Sequence, residues 1–200
     1  MLCWNWDSRF CPSSNKEVYK NANPWSFPIS VYYCPSRRTS AQYNGRYLGD
    51  YAAVTPGDSN ALWGGDIWGT GHESYPYKGI IVRTNMTTGQ RASTMASIVD
   101  GTSNTVMIGE KRLNTTLYNG GDWHDDSGWC DGWDPDVIRC SDQPMPDVPT
   151  GVSGYEIGGP HVAGFMALFG DGSVRMVNFN TTSAIFTQMV DKMDGQTPSP

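Results

Sequence analysis

The sequence GFMALFGDGSVRMVNF, residues 164–179, gives the strongest indication of how this chain folds. Two apolar-rich runs, Gly164–Phe169 and Ser173–Phe179, flank the tripeptide Gly170-Asp171-Gly172. Asp-Gly is a favoured pair in tight β-turns, because these turns need backbone angles that Asp and Gly tolerate. The stretch therefore predicts an antiparallel β-hairpin.

Short strands and one helix are predicted around this hairpin. Runs of β-branched and aromatic residues predict strands at Val31–Cys34, Tyr47–Val54, Gly79–Arg83 and Thr105–Glu110. Ser93–Val99 is expected to form one or two helical turns. After the hairpin, Thr181 or Thr182 can cap a short C-terminal helix that Gly195 would end. The predicted class is α+β, mostly β, with an antiparallel sheet and long loops.

Composition supports one globular domain over residues 1–200. Its 23 Gly and 13 Pro indicate many turns, and 12% aromatic against 17% charged residues argues against disorder. Residues 1–30 are expected to be irregular. The sequence has no Lys/Arg-rich run, which argues against nucleic-acid binding. No apolar run reaches the roughly 18 residues of a membrane span, and no signal segment is expected after Met1.

Negative charge is concentrated in the segment 121–147, which is predicted to be an acidic loop. The chain has a net charge of -6, and this segment holds eight Asp residues against Arg139 alone, which makes it -7. Folding so many carboxylates together is unfavourable unless a cation neutralises them, and Ca²⁺ prefers six to eight oxygen ligands. The segment therefore predicts a calcium site, with Asp122, Asp125, Asp126, Asp131, Asp134 and Asp136 as candidate ligands.

Two other functions for this loop stay open beside a plain solvated loop. His124 is the one histidine among the acids, which makes it a weak candidate acid/base in a metal-dependent hydrolase acting on an ester or lactone. Trp123, Trp129 and Trp133 lie beside carboxylates, as in many glycan-binding surfaces. The sequence contains no recognised catalytic motif.

Cysteine spacing gives an indication of compartment. Cys130 and Cys140 bracket part of the acidic loop and are predicted to form a disulfide that closes it, which favours an exported protein. The alternative is two buried thiols.

His161 and Asp171 are not expected to form a catalytic dyad. Asp171 lies at the hairpin tip, whereas His161 precedes the first strand, at the far end of a straight hairpin about 30 Å away at ~3.3 Å per residue. We expect Asp171 to form the turn and His161 to dock the base of the sheet against the last helix.

The same two residues carry a resemblance to a known family. His161, nine residues and Asp171-Gly172 resemble the C-terminal H-x9-D-G signature of a large bacterial family of pseudopilin-like proteins, which open with a prepilin-type cleavage/methylation segment. Asp100–Lys111 resembles its central motif, and Tyr33–Arg38 and Asp50–Ala53 resemble two earlier blocks. The segment 122–139 is similar to a subfamily loop.

This resemblance implies a pilin-like antiparallel sheet that packs on a long N-terminal helix. It further implies a periplasmic or extracellular location, assembly partners of the type II secretion or pilus kind, and calcium bound in a C-terminal loop. Met1 is not followed by a prepilin helix, so we expect either a truncated frame or a soluble offshoot.

The function predicted from the sequence is a soluble, calcium-binding, pseudopilin-like domain in secretion or cell-surface assembly. A small metal-dependent hydrolase and a glycan-binding module are the alternatives.

Overall fold

The computed structural model describes residues 24–57, 77–82, 84, 89, 91–129, 134–196 and 198. Predictions that concern the first 23 residues, Arg83, Cys130, Asp131 and Trp133 lie outside the described residues.

Most of the described strands belong to one mixed sheet. Its members are β3 (Tyr51–Thr55), β4 (Val106–Glu110), β5 (Ile138–Pro146), β6 (Glu156–Gly159), β7 (Gly164–Phe169) and β8 (Val174–Asn178). Their order is β6-β5-β3-β4-β7-β8. The pairs β3–β4, β4–β7 and β7–β8 are antiparallel. Strand β5 runs parallel to both of its neighbours, β3 and β6. The α+β, mostly β class is confirmed, but the sheet is mixed rather than wholly antiparallel as predicted, because β5 pairs in parallel with both of its neighbours.

The predicted hairpin at residues 164–179 is confirmed as β7 and β8. Phe165 pairs with Val177 and Leu168 pairs with Val174. At the tip, the Asp171 carboxylate accepts hydrogen bonds from the backbone N–H and the hydroxyl of Ser173, which closes the turn. The expected role of Asp171 in the turn is therefore confirmed.

The single α-helix among the described residues, α1 (Ser183–Val190), covers one face of the sheet. It begins as predicted, because the Thr182 hydroxyl accepts a hydrogen bond from the Ile185 N–H. Phe186 packs edge-on against Phe165 in the core, and both are fully buried. The helix ends at Val190 rather than at Gly195, since Lys192 leaves it to donate its backbone N–H to the Lys78 carbonyl.

Three strand predictions need correction. Val31–Cys34 is not a strand: a 3-10 turn (Ser30–Tyr32) stands there, and the Cys34 N–H donates to the Asp50 side chain instead of to a sheet. Residues 79–82 are loop. The strand expected at Tyr47–Val54 is divided between β3 and a separate small hairpin, β1 (Gln42–Tyr43) and β2 (Arg46–Tyr47). Ser93–Val99 contains one 3-10 turn, Met95–Ser97.

The second face of the sheet is only partly covered at β4, β7 and β8. Its apolar side chains are the half-buried Ile108, Met166 and Leu168 and the exposed Val174 and Met176, which we call the open face. The last two are 60% and 57% exposed. Among the described residues, no helix has the length and apolarity that crossing a membrane requires.

Candidate functional site

The predicted acidic loop is only partly a loop. A turn begins at Asp134, where the backbone carbonyl of Asp134 accepts hydrogen bonds from the N–H groups of Val137 and Ile138. The chain then enters β5. As a result, several acids of the segment point into the protein. Asp125, Asp134 and Asp136 are all buried.

Asp125 is neutralised by two protein cations from other parts of the chain. Lys111 Nζ lies 2.5 Å from Asp125 Oδ1, and Arg38 Nη1 lies 2.8 Å from Asp125 Oδ2. Burial by itself raises the pKa of Asp125, but Lys111 and Arg38 outweigh it and lower the pKa to about 2. Arg139 is therefore not the only cation that balances these acids, because Lys111 and Arg38 reach Asp125 from outside the segment.

Asp136 shares the Lys111 ammonium and also organises the loop backbone. Lys111 Nζ is 3.5 Å from Asp136 Oδ1. The Asp136 carboxylate accepts hydrogen bonds from the backbone N–H groups of Asp126, Ser127 and Gly128. Asp136 thus holds the residues that follow Asp125 in place.

Arg139 is fully buried and donates to carbonyl oxygens rather than to the clustered carboxylates. Its guanidinium donates to the carbonyls of Pro135, Arg112, Glu156 and His124. Burial lowers the pKa of Arg139, against the attraction of Asp125 and Asp136. Arg139 therefore fastens the acidic segment to β5 and β6.

The remaining candidate calcium ligands differ in how they are held. Asp122 accepts from the backbone and from Nδ1 of His124, and although burial opposes it, these bonds lower the Asp122 pKa. Asp134 Oδ1 accepts from the Asp136 N–H. Burial and the nearby Asp136 raise the pKa of Asp126. Among the described residues, the acids of 121–147 do not bring three metal-ligand atoms within 4.8 Å of one another.

His124, the candidate acid/base, lies in an aromatic pocket. It is only 5% exposed, and its ring lies edge-on to Tyr155 at a centroid distance of 4.9 Å. Nδ1 bonds to Asp122, while the buried Nε2 has no hydrogen-bond partner among the described residues. A substrate would have to displace these rings to reach His124. A catalytic role for His124 stays a prediction.

The two tryptophans of the glycan hypothesis that the structure describes differ in exposure and in their neighbours. Trp123 is 56% exposed, whereas Trp129 is half-buried and packs near Tyr32. Trp133 lies outside the described residues, as does Cys130 of the predicted disulfide. Its predicted partner, Cys140, is buried in β5. The glycan site and the disulfide both stay predictions.

A second cluster lies elsewhere and joins Cys34, Glu110 and His161. These side chains offer a thiol, a carboxylate and an imidazole whose ligand atoms all lie within 4.8 Å of one another. His161 Nε2 is 3.2 Å from Glu110 Oε1 and 3.8 Å from Cys34 Sγ. The expectation that His161 docks against the last helix is wrong: its ring faces the end of β4, where Glu110 lies within hydrogen-bond distance of Nε2.

This cluster does not have the geometry of a cysteine protease triad. A triad uses one imidazole nitrogen for the nucleophile and the other for the carboxylate, whereas here both partners face Nε2. Burial and the hydrogen bond to Glu110 raise the pKa of the Cys34 thiol to about 11, so the thiol is protonated and weakly nucleophilic at neutral pH. Convergence on one point is instead the arrangement of metal ligands.

Sequence reasoning noticed all three residues without joining them. Cys34, Glu110 and His161 each stand in one of the blocks that carry the family resemblance. Cys and His are the metal ligands that a sequence search looks for, but their usual signal is close spacing. Cys34 and His161 are 127 positions apart, so no local pattern connects them.

Comparison with known proteins identifies a family but no function. The chain belongs to the family described as a protein of unknown function (DUF1559), which matches residues 5–183. No curated protein and no solved structure matches the chain.

Proposed function

We propose that this member of the DUF1559 family is an extracytoplasmic, pseudopilin-like assembly domain without enzymatic activity. Its role is to bind an apolar helix of a secretion or pilus-type subunit on the open face of its sheet. The ordered sequence blocks that resemble pseudopilin-like proteins support the kind of partner. The single observation that carries the proposal is the open face itself.

The open face is an apolar strip that arises because side chains alternate between the two faces of the sheet along each strand. Along β7, Phe165, Ala167 and Phe169 point into the α1 side of the core, whereas Met166 and Leu168 point to the opposite side. On the neighbouring β8, Met176 pairs with Met166 and Val174 pairs with Leu168. Met176 and Val174 therefore extend the same apolar surface toward the edge of the sheet.

Covering this surface is energetically favourable. Full burial of a Val or Met side chain contributes about 1.5–3 kcal/mol, so covering the exposed part of Val174 and Met176 contributes about 1–2 kcal/mol each. A sheet buries an apolar face by packing a helix or a second sheet on it, and α1 already does so on the other side. A helix with an apolar side is the occupant that a pilin-type subunit can supply.

Site-specific photo-cross-linking in cells tests this role. A benzophenone amino acid replaces Met176 in one strain and Met95 in a control strain. Met95 is an apt control because it is also an exposed methionine, at 70%, but lies on a 3-10 turn away from the sheet. We expect the probe at position 176 to give an adduct whose cross-linked peptide comes from the apolar N-terminal helix of a pilin-like subunit.

Two results would contradict the proposal. Equal adducts from both positions would mean that the open face has no preference. A position-176 adduct with a peptide from another class of protein would mean that the partner is wrongly assigned.

Calcium binding by the acidic segment is a separate part of the proposal. The raised pKa of Asp126, caused by burial and by Asp136, indicates a carboxylate that a nearby cation would stabilise. In protein treated with EDTA and then dialysed, Ca²⁺ should raise the melting temperature of the wild type but not of Asp126→Asn. Asp171→Asn, at an exposed acid outside the segment, is the control. Titration calorimetry without heat, together with an unchanged wild-type melting temperature, would show that no calcium binds.

A further inference from the structure

We infer that Cys34, Glu110 and His161 form a binding site for one divalent transition-metal ion of the zinc type, with a coordination position left open to solvent. This site lies apart from the acidic segment, and the inference does not depend on the assembly role proposed above.

The distances between the ligand atoms fit a tetrahedral ion. Bonds of about 2.3 Å to sulfur and about 2.0–2.1 Å to nitrogen or oxygen place tetrahedral ligand atoms about 3.6 Å (S to N) and about 3.4 Å (N to O) apart. The observed separations are 3.8 Å from Cys34 Sγ to His161 Nε2 and 3.2 Å from His161 Nε2 to Glu110 Oε1. These two separations are within a few tenths of an ångström of the tetrahedral values, and all three ligand atoms lie within 4.8 Å of one another.

The three side chains already share hydrogen bonds. Glu110 accepts one from the Cys34 thiol and lies 3.2 Å from His161 Nε2, which can donate another. A metal ion at the centre takes the place of the thiol proton and the Nε2 proton, and uses one lone pair from each of the three side chains.

Neighbouring backbone and side-chain groups hold the three ligands in orientation. The Met166 backbone N–H donates to Glu110 Oε2 at 2.8 Å, which leaves Oε1 for the ion. Asp50 Oδ2 accepts from the Cys34 backbone N–H at 2.7 Å and holds the loop that carries the thiol. Gly159 permits the close approach, because a Cβ there would lie 3.0 Å from Glu110 Oε2.

Burial and charge also favour a cation here. The side chain of Glu110 is 1% exposed, and among the described residues no Lys or Arg side chain lies within ion-pair distance of its carboxylate. The His161 side chain is 27% exposed, so solvent and an incoming ion reach the site from that side. Three protein ligands and one side open to water are the pattern of a zinc site that retains a water ligand.

The ligand set selects the kind of metal. Ca²⁺ and Mg²⁺ take oxygen ligands, whereas a thiolate together with an imidazole favours Zn²⁺ and similar ions. Binding breaks the S–H bond of Cys34, forms the S–metal bond and passes the proton to the buffer.

Cobalt substitution provides a direct test on the full chain. Protein is stripped with a chelator, dialysed and titrated with Co²⁺ or Zn²⁺, and bound metal is counted by mass spectrometry. We expect one ion per chain. The Co²⁺ form should show the thiolate-to-cobalt charge-transfer band and the intense visible bands of tetrahedral coordination, and Zn²⁺ should displace it.

Variants locate the site. His161→Ala and Cys34→Ser should each weaken binding by more than about 100-fold, since loss of a ligand should exceed the roughly 10–100-fold effect of losing a group that only hydrogen-bonds to a ligand. Val162→Ala, at a fully exposed neighbour in the same loop, should bind like the wild type. His161→Ala is the variant least expected to disturb folding, because its ring is partly exposed. Circular dichroism checks the fold of each variant.

Three results would overturn the inference. One is a wild-type chain that binds no Zn²⁺ or Co²⁺ after stripping. Another is a Co²⁺ spectrum without the thiolate band. The third is wild-type affinity and spectrum in both ligand variants, which would move the ion to another cysteine.

Discussion

Replacing Asp125 with Asn should remove a main electrostatic support of the fold. Asp125 is 1% exposed and receives Lys111 at 2.5 Å and Arg38 at 2.8 Å. Asn is nearly the same size, so the change removes the charge and leaves the packing. Removing one partner of a buried ion pair costs about 3–5 kcal/mol, and we expect the lower end because Asp136 and Asp50 still pair with the two cations.

The contribution of Asp125 to the free energy of unfolding should also depend on pH. The pKa of Asp125 is lowered from 3.8 to about 2, and at about 1.4 kcal/mol per unit this corresponds to about 2–3 kcal/mol of stability. Because the folded-state pKa is the lower one, this contribution is complete above the unfolded pKa near 3.8. It is lost as the pH falls through about 2. Asp125→Asn should lack that part of the acid loss.

Urea unfolding at pH 7 and at several acidic pH values measures both effects. The control is Asp171→Asn, because Asp171 also pairs with an arginine, Arg175, but at the exposed hairpin tip. Exposed ion pairs contribute little, so the control should stay close to wild type. If the two variants lose the same stability, or if Asp125→Asn keeps the full acid loss of the wild type, the Lys111 and Arg38 pairs are not what stabilises this region.

Three further substitutions test a close backbone contact, a core side chain and a helix N-cap. Gly154→Ala should abolish folding or cost several kcal/mol, because its Cβ would lie 1.9 Å from Cγ of the His124 ring. The control is Gly151→Ala, which has a similar positive φ but no atom within 4 Å of the added Cβ, so it should cost about 1 kcal/mol. Thermal unfolding compares the two variants. Phe165→Ala should destabilise by about 3–5 kcal/mol, because the side chain is fully buried, and a urea midpoint near the wild type would contradict the assigned core. Thr182→Ala should cost about 1 kcal/mol through loss of the helix N-cap, while Thr182→Ser should restore most of it in the same urea assay.

Several elements were predictable because their signals are local. The hairpin of β7 and β8 follows from Asp-Gly between two apolar runs, and the helix start follows from a threonine before an apolar pattern. The β1–β2 hairpin has an equally strong signal that the sequence reasoning missed. Asn44 and Gly45 have φ angles of 48° and 79°, which is the conformation that Asn-Gly favours in a two-residue turn.

The predictions that failed depended on contacts between distant residues. Val31–Cys34 has the composition of a strand, yet the Asp50 side chain binds the Cys34 N–H and the chain turns there. The helix ends before Gly195 because Lys192 bonds to the Lys78 carbonyl and, through its side chain, to the Gly79 carbonyl. A local pattern contains no information on such partners.

The sequence by itself determined the mostly β class and the hairpin of β7 and β8, and it carries the match to the DUF1559 family, because turn chemistry, periodicity and motif order are properties of neighbouring residues. Only the tertiary structure decided what the acids of 121–147 do. Their charge is balanced by Arg38, which is 87 positions from Asp125, and by Lys111. It also decided that Cys34, Glu110 and His161 meet. The physical reason is the same in both cases: electrostatic partners are chosen by distance in space, and folding brings them together across the sheet.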